Sequence, residues 1–170
     1  MKQLALLVAM MLSAVVTVAT AVWRPIPRLV WNASASVPVG LYAVRSTGQL
    51  TIDEMVVAIP PEPLASFLAD GQYLPKGLPL IKHVAALPGQ CVCRVGLTVS
   101  IDGSVRATAR RRDHAGRTLP IWSGCRSIAP DEVFLLNASE PASLDGRYFG
   151  PLPSSSVIGR AVPLWTTDSR

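Results

Sequence analysis

Ser34 and Ser36 stand two positions apart in the stretch Asn32-Ala33-Ser34-Ala35-Ser36-Val37-Pro38-Val39-Gly40-Leu41-Tyr42. In an extended segment, residues i and i+2 point to the same side, so both hydroxyls can face one cavity. Pro38 fixes its own φ and biases Val37 toward extended backbone. Gly40 permits a turn or a close backbone approach. A serine held on such an edge beside a second hydroxyl has the parts of a nucleophile with an oxyanion donor next to it. Read without further context, the same residues are ordinary loop punctuation leading into a strand.

A serine nucleophile needs a base. Residues 80–87 read Leu-Ile-Lys-His-Val-Ala-Ala-Leu and stop at Pro88-Gly89. As a strand, they place Leu80, Lys82, Val84 and Ala86 on one face and Ile81, His83, Ala85 and Leu87 on the other. Lys82 is then an ammonium in an apolar row. A lysine accepts a proton only when neutral, and bringing its pKa from about 10.4 to near 7–8 takes roughly 4 kcal/mol. Burial supplies that, because it disfavours the charged form. The plainer alternative is a lysine with its head in water, or one paired with Asp145. His83 faces away from Lys82 and reads as a structural or exposed imidazole. His114 lies in an Arg-rich loop and reads as solvated.

The elements that must position these groups begin with residues 4–23, which carry no charge and meet the roughly 20 apolar residues of a membrane span. Lys2 precedes the run; Trp23 and Arg24 follow it as interfacial anchors. Ala19-Thr20-Ala21 is a small-x-small cleavage pattern, but the run exceeds the core of about 7–15 residues typical of a cleaved signal. Residues 1–23 are therefore read as a retained signal anchor and residues 24–170 as one extracytoplasmic domain. Arg24 and Arg28 offset Lys2 and the terminal amine, so flanking charge does not fix the orientation.

Pro25 and Pro27 stiffen a connector over 23–30. Strands are predicted at 40–45, 55–59, 80–87, 91–95, 97–101, 104–107, 132–136 and 156–164, with a hairpin turn at Asp102-Gly103. A short helix is expected at 64–69, opened by Pro63 and closed by Gly71. Residues 110–119 and 137–153 read as loops. The net charge is +5, with Arg110-Arg111-Arg112 prominent. That run has no interleaved aromatics, so it reads as a solvated loop with an anionic membrane surface as a neighbour, and no nucleic acid is implied. Cys91, Cys93 and Cys125 imply one disulfide and one spare thiol, with Cys125 joined to Cys91 or to Cys93. Zinc held by these cysteines with His114 is the rival. The spacing is not a standard structural pattern, and no metal or cofactor is expected.

Taken together and in chain order, three segments resemble the motif boxes of bacterial signal peptidases. They are Ser36-Val37-Pro38, Ile81-Lys82-His83-Val84-Ala85-Ala86-Leu87-Pro88-Gly89, and Ser143-Leu144-Asp145-Gly146-Arg147-Tyr148-Phe149-Gly150; Asp53-Glu54-Met55-Val56-Val57 resembles the strand box between the first two. Asn32, Gly124-Cys125-Arg126 and the segment from Asp145 to Pro151 resemble the branch that serves conjugative plasmid transfer. The resemblance implies a mainly β fold: a signal-peptidase-like antiparallel β-sheet domain preceded by one N-terminal transmembrane helix. It implies that Ser36 attacks the scissile carbonyl and that Lys82 takes its proton. The Ser36 N–H and the Ser34 hydroxyl would bind the oxyanion, Ser143 would orient Lys82, and Asp145 would pair with Arg147 to hold the loop carrying Ser143. This is the serine–lysine form of triad chemistry, without metal or cofactor.

The implied partners are a membrane-bound precursor (a propilin), the lipid bilayer and a conjugative transfer apparatus. The implied place is the cytoplasmic membrane, single-pass, with the catalytic domain periplasmic. Val37, Val39, His83, Gln90 and Gly146 depart from the general secretory pattern and favour a dedicated substrate. The alternatives are a general signal peptidase removing secretory signal peptides and a non-catalytic assembly factor of the pilus. A self-cleaving repressor shares the dyad logic, but the membrane run and the lack of an N-terminal DNA-binding domain oppose it.

Overall fold

A computed structural model describes residues 2–22 and 27–167. Helix α1 (Lys2–Val22) stands clear of the rest, and its stretch Lys2–Thr20 is long and apolar enough to cross a membrane. Ser13, Thr17 and Thr20 donate their hydroxyls back to carbonyls three or four residues earlier, so their polarity is satisfied within the helix. The helix fits a single-pass anchor or a signal sequence. Trp23 and Arg24, read as interfacial anchors, lie outside the described residues.

The remainder is mainly β, as expected. Strands β1 (Leu29–Asn32), β2 (Val39–Arg45), β3 (Met55–Ala58), β4 (Leu80–Ala86), β9 (Glu132–Leu136), β10 (Leu152–Pro153) and β11 (Val157–Thr167) form one antiparallel sheet, ordered β1-β2-β11-β3-β4-β9-β10. Strands β5 (Cys91–Val95), β6 (Thr98–Ile101), β7 (Ser104–Thr108) and β8 (Gly124–Ser127) form a second, ordered β7-β6-β5-β8. Two short helices complete the fold: α2 (Leu64–Asp70) and α3 (Gly146–Phe149). Apolar residues of both sheets meet in one cluster that includes Ala86, Val92, Val99, Ile101, Phe134 and Leu136. Alternation along β4 sends Val84 into a second cluster with Val56, Ala58 and Leu135, and Ile81 into a third with Val37, Tyr42 and Val57.

Four boundaries differ from the sequence reading. Part of the proline-rich connector is a strand, because β1 pairs with β2 from Leu29↔Ala43 to Asn32↔Gly40. Strand β8 was not anticipated; it is exposed along its length and exists through pairing with β5. Strand β11 continues past Leu164: Pro163 still faces Tyr42, Trp165 faces Leu41, and Leu164 between them is the extra residue of a bulge. Residues 137–153, read as loop, contain α3 and β10, and Asn137, Ser143, Asp145 and Arg147 within them are buried.

Two glycines let elements meet. At Gly40 (φ +153°) a Cβ would lie 2.1 Å from the Trp165 carbonyl oxygen, so only glycine lets β2 and β11 approach as they do. At Gly146 a Cβ would lie 2.6 Å from Phe134 and 2.7 Å from the Leu135 carbonyl oxygen. Glycine at this position therefore lets α3 pack closely on β9.

Candidate active site

The loop between β1 and β2 carries Ser34 and Ser36. One side chain shapes it. The Asn32 amide donates to the carbonyls of Ser34, Val37 and Pro38 at 2.8, 3.0 and 3.1 Å. Its Oδ1 accepts from the Ser34 N–H at 3.2 Å and the Ser34 hydroxyl at 3.0 Å. The Tyr42 hydroxyl adds a bond to the Pro38 carbonyl at 2.6 Å. Val37 plugs the loop into the cluster that holds Ile81, the residue before Lys82. The two serine hydroxyls lie 2.9 Å apart, and the Ser36 N–H has no hydrogen-bond partner among the described residues.

Strand β4 carries Lys82 on the same face as Val84, opposite Val56 of β3. Lys82 is 3% exposed. Burial is the main influence on its amine; Asp145 opposes the shift, Arg147 adds to it, and the pKa falls from 10.5 to about 8. Its Nζ donates to the Ser143 hydroxyl at 2.7 Å. The alternative pairing of Lys82 with Asp145 is not formed. Asp145 is instead engaged twice by Arg147, through Nε at 2.9 Å and Nη2 at 2.7 Å, with both side chains almost fully buried. Arg147 Nη2 also donates to the carbonyls of Asn137 and Glu140, and Asp145 accepts from the Asn137 N–H at 3.0 Å. The loop bearing Ser143 is thus laced to a buried ion pair.

The structure therefore joins Ser34 to Ser36, and Lys82 to Ser143, but no hydrogen bond links the two pairs. Lys82 Nζ is turned to Ser143, and the Ser36 hydroxyl to Ser34. His83 turns away from Lys82, its Nδ1 lying 2.9 Å from Asn137 Oδ1. That oxygen also accepts the His83 N–H, so Nδ1 is the protonated ring nitrogen. His114 is exposed. The disulfide joins Cys93 to Cys125 and leaves Cys91 free; among the described residues the sulfur cluster includes no histidine. A cavity of about 240 Å³ opens beyond β4, lined by Asp53, His83 and Arg106 among others; neither Ser36 nor Lys82 lines it.

Two structural residues, Asn137 and Arg94, escaped the sequence reading, and Asn32 entered it through the resemblance alone, without a role. Asn32 and Asn137 stood in plain view as turn formers, and nothing local marks them as buried. Arg94 is fully buried. Its Nη1 donates to the Arg147 carbonyl at 2.5 Å, its guanidinium lies 5.9 Å from the centre of the Tyr148 ring, and its Nη2 has no partner among the described residues. It ties the smaller sheet to the loop of Ser143.

The chain belongs to the signal peptidase family: the profile described as "Signal peptidase, peptidase S26" matches residues 1–165. Within it, the chain is close to conjugal transfer proteins named TraF. It is 37% identical to the TraF of Agrobacterium tumefaciens, covering 79% of this chain and 81% of that one. It is 34% identical to that of Agrobacterium fabrum (81% and 82%), and 35% identical to a probable TraF of Sinorhizobium fredii (97% and 90%). A solved signal peptidase I of Enterococcus faecalis is a more distant likeness, at 19% identity and a TM-score of 0.41 over 68% of this chain and 98% of that one.

Proposed function

We propose that this chain is a membrane-anchored serine endopeptidase that trims an exported, membrane-bound precursor, a propilin, for conjugative transfer. Residues 1–23 would be the anchor and 24–170 the extracytoplasmic peptidase domain. The observation that carries this reading is the dry Lys82 amine, with its pKa near 8 and its hydrogen bond to Ser143. The Ser36 hydroxyl attacks the scissile carbonyl as its proton passes to the neutral Lys82 amine. The resulting ammonium returns that proton to the leaving amine. The Ser36 N–H, without a partner among the described residues, would receive the oxyanion together with the Ser34 hydroxyl once that hydroxyl turns from Asn32. Substrate binding would turn the Ser36 hydroxyl from Ser34 toward Lys82, a tightening common on going from free enzyme to complex.

Co-expression with candidate precursors, read by mass spectrometry, tests this. Ser36→Ala is expected to leave the precursor uncut, a loss on the order of 10⁴-fold or more. Normal trimming by that variant would end the proposal. In the wild type, kcat/KM should climb with pH and level off above an inflection near 8, as Lys82 sheds its proton. A flat profile from neutral to alkaline pH would oppose Lys82 as base.

The membrane side of the reading rests on a second feature. Trp31 and Trp165 are exposed with ring centroids 5.8 Å apart, beside exposed Leu29 and Leu164. Tryptophan favours the membrane interface, and Trp31 immediately precedes the Asn32 clamp. With Trp23 and Trp122 changed to Phe, this pair supplies all the tryptophan emission. Brominated lipids in proteoliposomes are expected to quench it; emission untouched by bromine would place the patch in water.

A further inference from the structure

Outside the peptidase site lies a cluster of sulfur atoms that peptide cleavage does not use. Cys91 and Cys93 share one face of β5, and Cys125 on β8 sits directly opposite Cys93. Cys93 and Cys125 are joined, while the free Cys91 Sγ lies 3.9 Å from the Cys93 Sγ. All three sulfurs are within 4.8 Å of one another. A thiol held beside a disulfide supplies the two reactants of thiol–disulfide exchange; the three separations put Cys91 to the side of the Cys93–Cys125 bond, so its side chain turns into line with that bond before attack.

We propose that Cys91, Cys93 and Cys125 form an intramolecular thiol–disulfide exchange site whose outlet is Cys125. The Cys91 thiolate attacks the Cys93 sulfur. A Cys91–Cys93 bond forms as the Cys93–Cys125 bond breaks, and the electron pair leaves on the Cys125 sulfur, which takes up the proton that Cys91 gave up. One thiol and one disulfide stand on each side, so no oxidant or reductant is consumed.

Register sets the balance between the two forms. Cys93 and Cys125 face each other across adjacent strands. Cys91 and Cys93 are two positions apart along one strand, about 6.6–7 Å between Cα atoms, at or beyond the upper end of the roughly 4.4–6.8 Å that disulfides span. The Cys93–Cys125 bridge is the form the structure holds, and capture of Cys125 draws the exchange toward Cys91–Cys93. Accessibility gives the exchange a direction. Cys91 is half-buried, whereas β8 is exposed along its whole length. Exchange moves the free thiol from a sheltered place to an open one. The co-reactant class is an external disulfide: the Cys125 thiolate attacks one of its sulfurs, a mixed disulfide forms at Cys125, and the other sulfur departs as a thiolate.

The test uses the full-length protein in detergent, never reduced, incubated with oxidised glutathione and then acid-quenched, digested and mapped by mass spectrometry. The expected product carries glutathione on Cys125 and an internal Cys91–Cys93 bond. It should form severalfold faster at about pH 8.5 than at about pH 7, since the thiolate is the attacking species. Cys91→Ser is expected to abolish the Cys125 adduct. Glutathione confined to Cys91 at both pH values would overturn the proposal. So would an adduct on Cys93, or a Cys125 adduct that forms as readily in Cys91→Ser. The wild-type map decides the matter even if that variant folds poorly.

Discussion

Lys82→Met is expected to abolish precursor cleavage without weakening the fold at neutral pH. Folding drives the Lys82 pKa down from 10.5 to about 8. Between those values the unfolded chain binds the proton that the folded chain has released. Stability therefore rises with pH across that window, and below about pH 8 the cost of burying the ammonium is fully present. At 1.36 kcal/mol per pK unit that cost is about 3 kcal/mol. Methionine fills similar volume with no charge, and so removes the cost. It also leaves the buried Ser143 hydroxyl without its donor, at about 1–3 kcal/mol. The two changes nearly offset each other. The double variant Lys82→Met, Ser143→Ala removes the orphaned hydroxyl and should be more stable than wild type by about 2–3 kcal/mol. Urea unfolding near pH 7 checks both variants; near pH 10 the double variant's advantage should shrink and the single variant should fall below wild type. A loss of several kcal/mol in the double variant at neutral pH would mean that the amine is a well-solvated, paired cation.

Arg147→Ala is the second large effect, with the opposite sign. It strands the Asp145 carboxylate in the interior with two backbone N–H donors, those of Asn137 and Arg147, and no cation against it. Breaking a buried pair from one side costs about 3–5 kcal/mol. The carbonyls of Asn137 and Glu140 lose a donor in the same step, so the loop bearing Ser143 should loosen. Arg147→Lys should recover only part of the loss, because an ammonium cannot reproduce the two-point contact. Loss of the guanidinium also removes a positive charge that pushes the Lys82 pKa down. In whatever fraction remains folded, the pH–rate inflection should move toward alkaline pH. Unchanged unfolding curves together with an unmoved inflection would refute the structural role assigned to the pair.

The contrast between these residues shows what can be read from a string of letters. The face of β4 was legible because a strand repeats every two residues, and Lys82, Val84 and Ala86 follow that period into the core. Asp102-Gly103 declared its hairpin by turn chemistry alone, and Cys125 declared a bridge, though not its partner. Residues 137–153 misled, because Asn, Ser, Asp and Arg in succession look solvated. Their burial depends on partners that the local sequence does not contain, among them the Ile81 carbonyl, the His83 amide and Lys82. Strand β8 has no apolar alternation and is ordered by its neighbour. Arg94 offered no signal, since a buried arginine without a carboxylate runs against composition rules.

The Asn32 clamp carries a last consequence. Five hydrogen bonds from a single amide fix the shape of the serine segment before any ligand arrives. A residue left to settle at encounter would subtract about 1–2 kcal/mol from association. Here that entropy is surrendered during folding, so a peptide meets a mould already set. Selection then falls on the contour of the incoming chain, with adaptation on the side of the protein confined to the two serine hydroxyls.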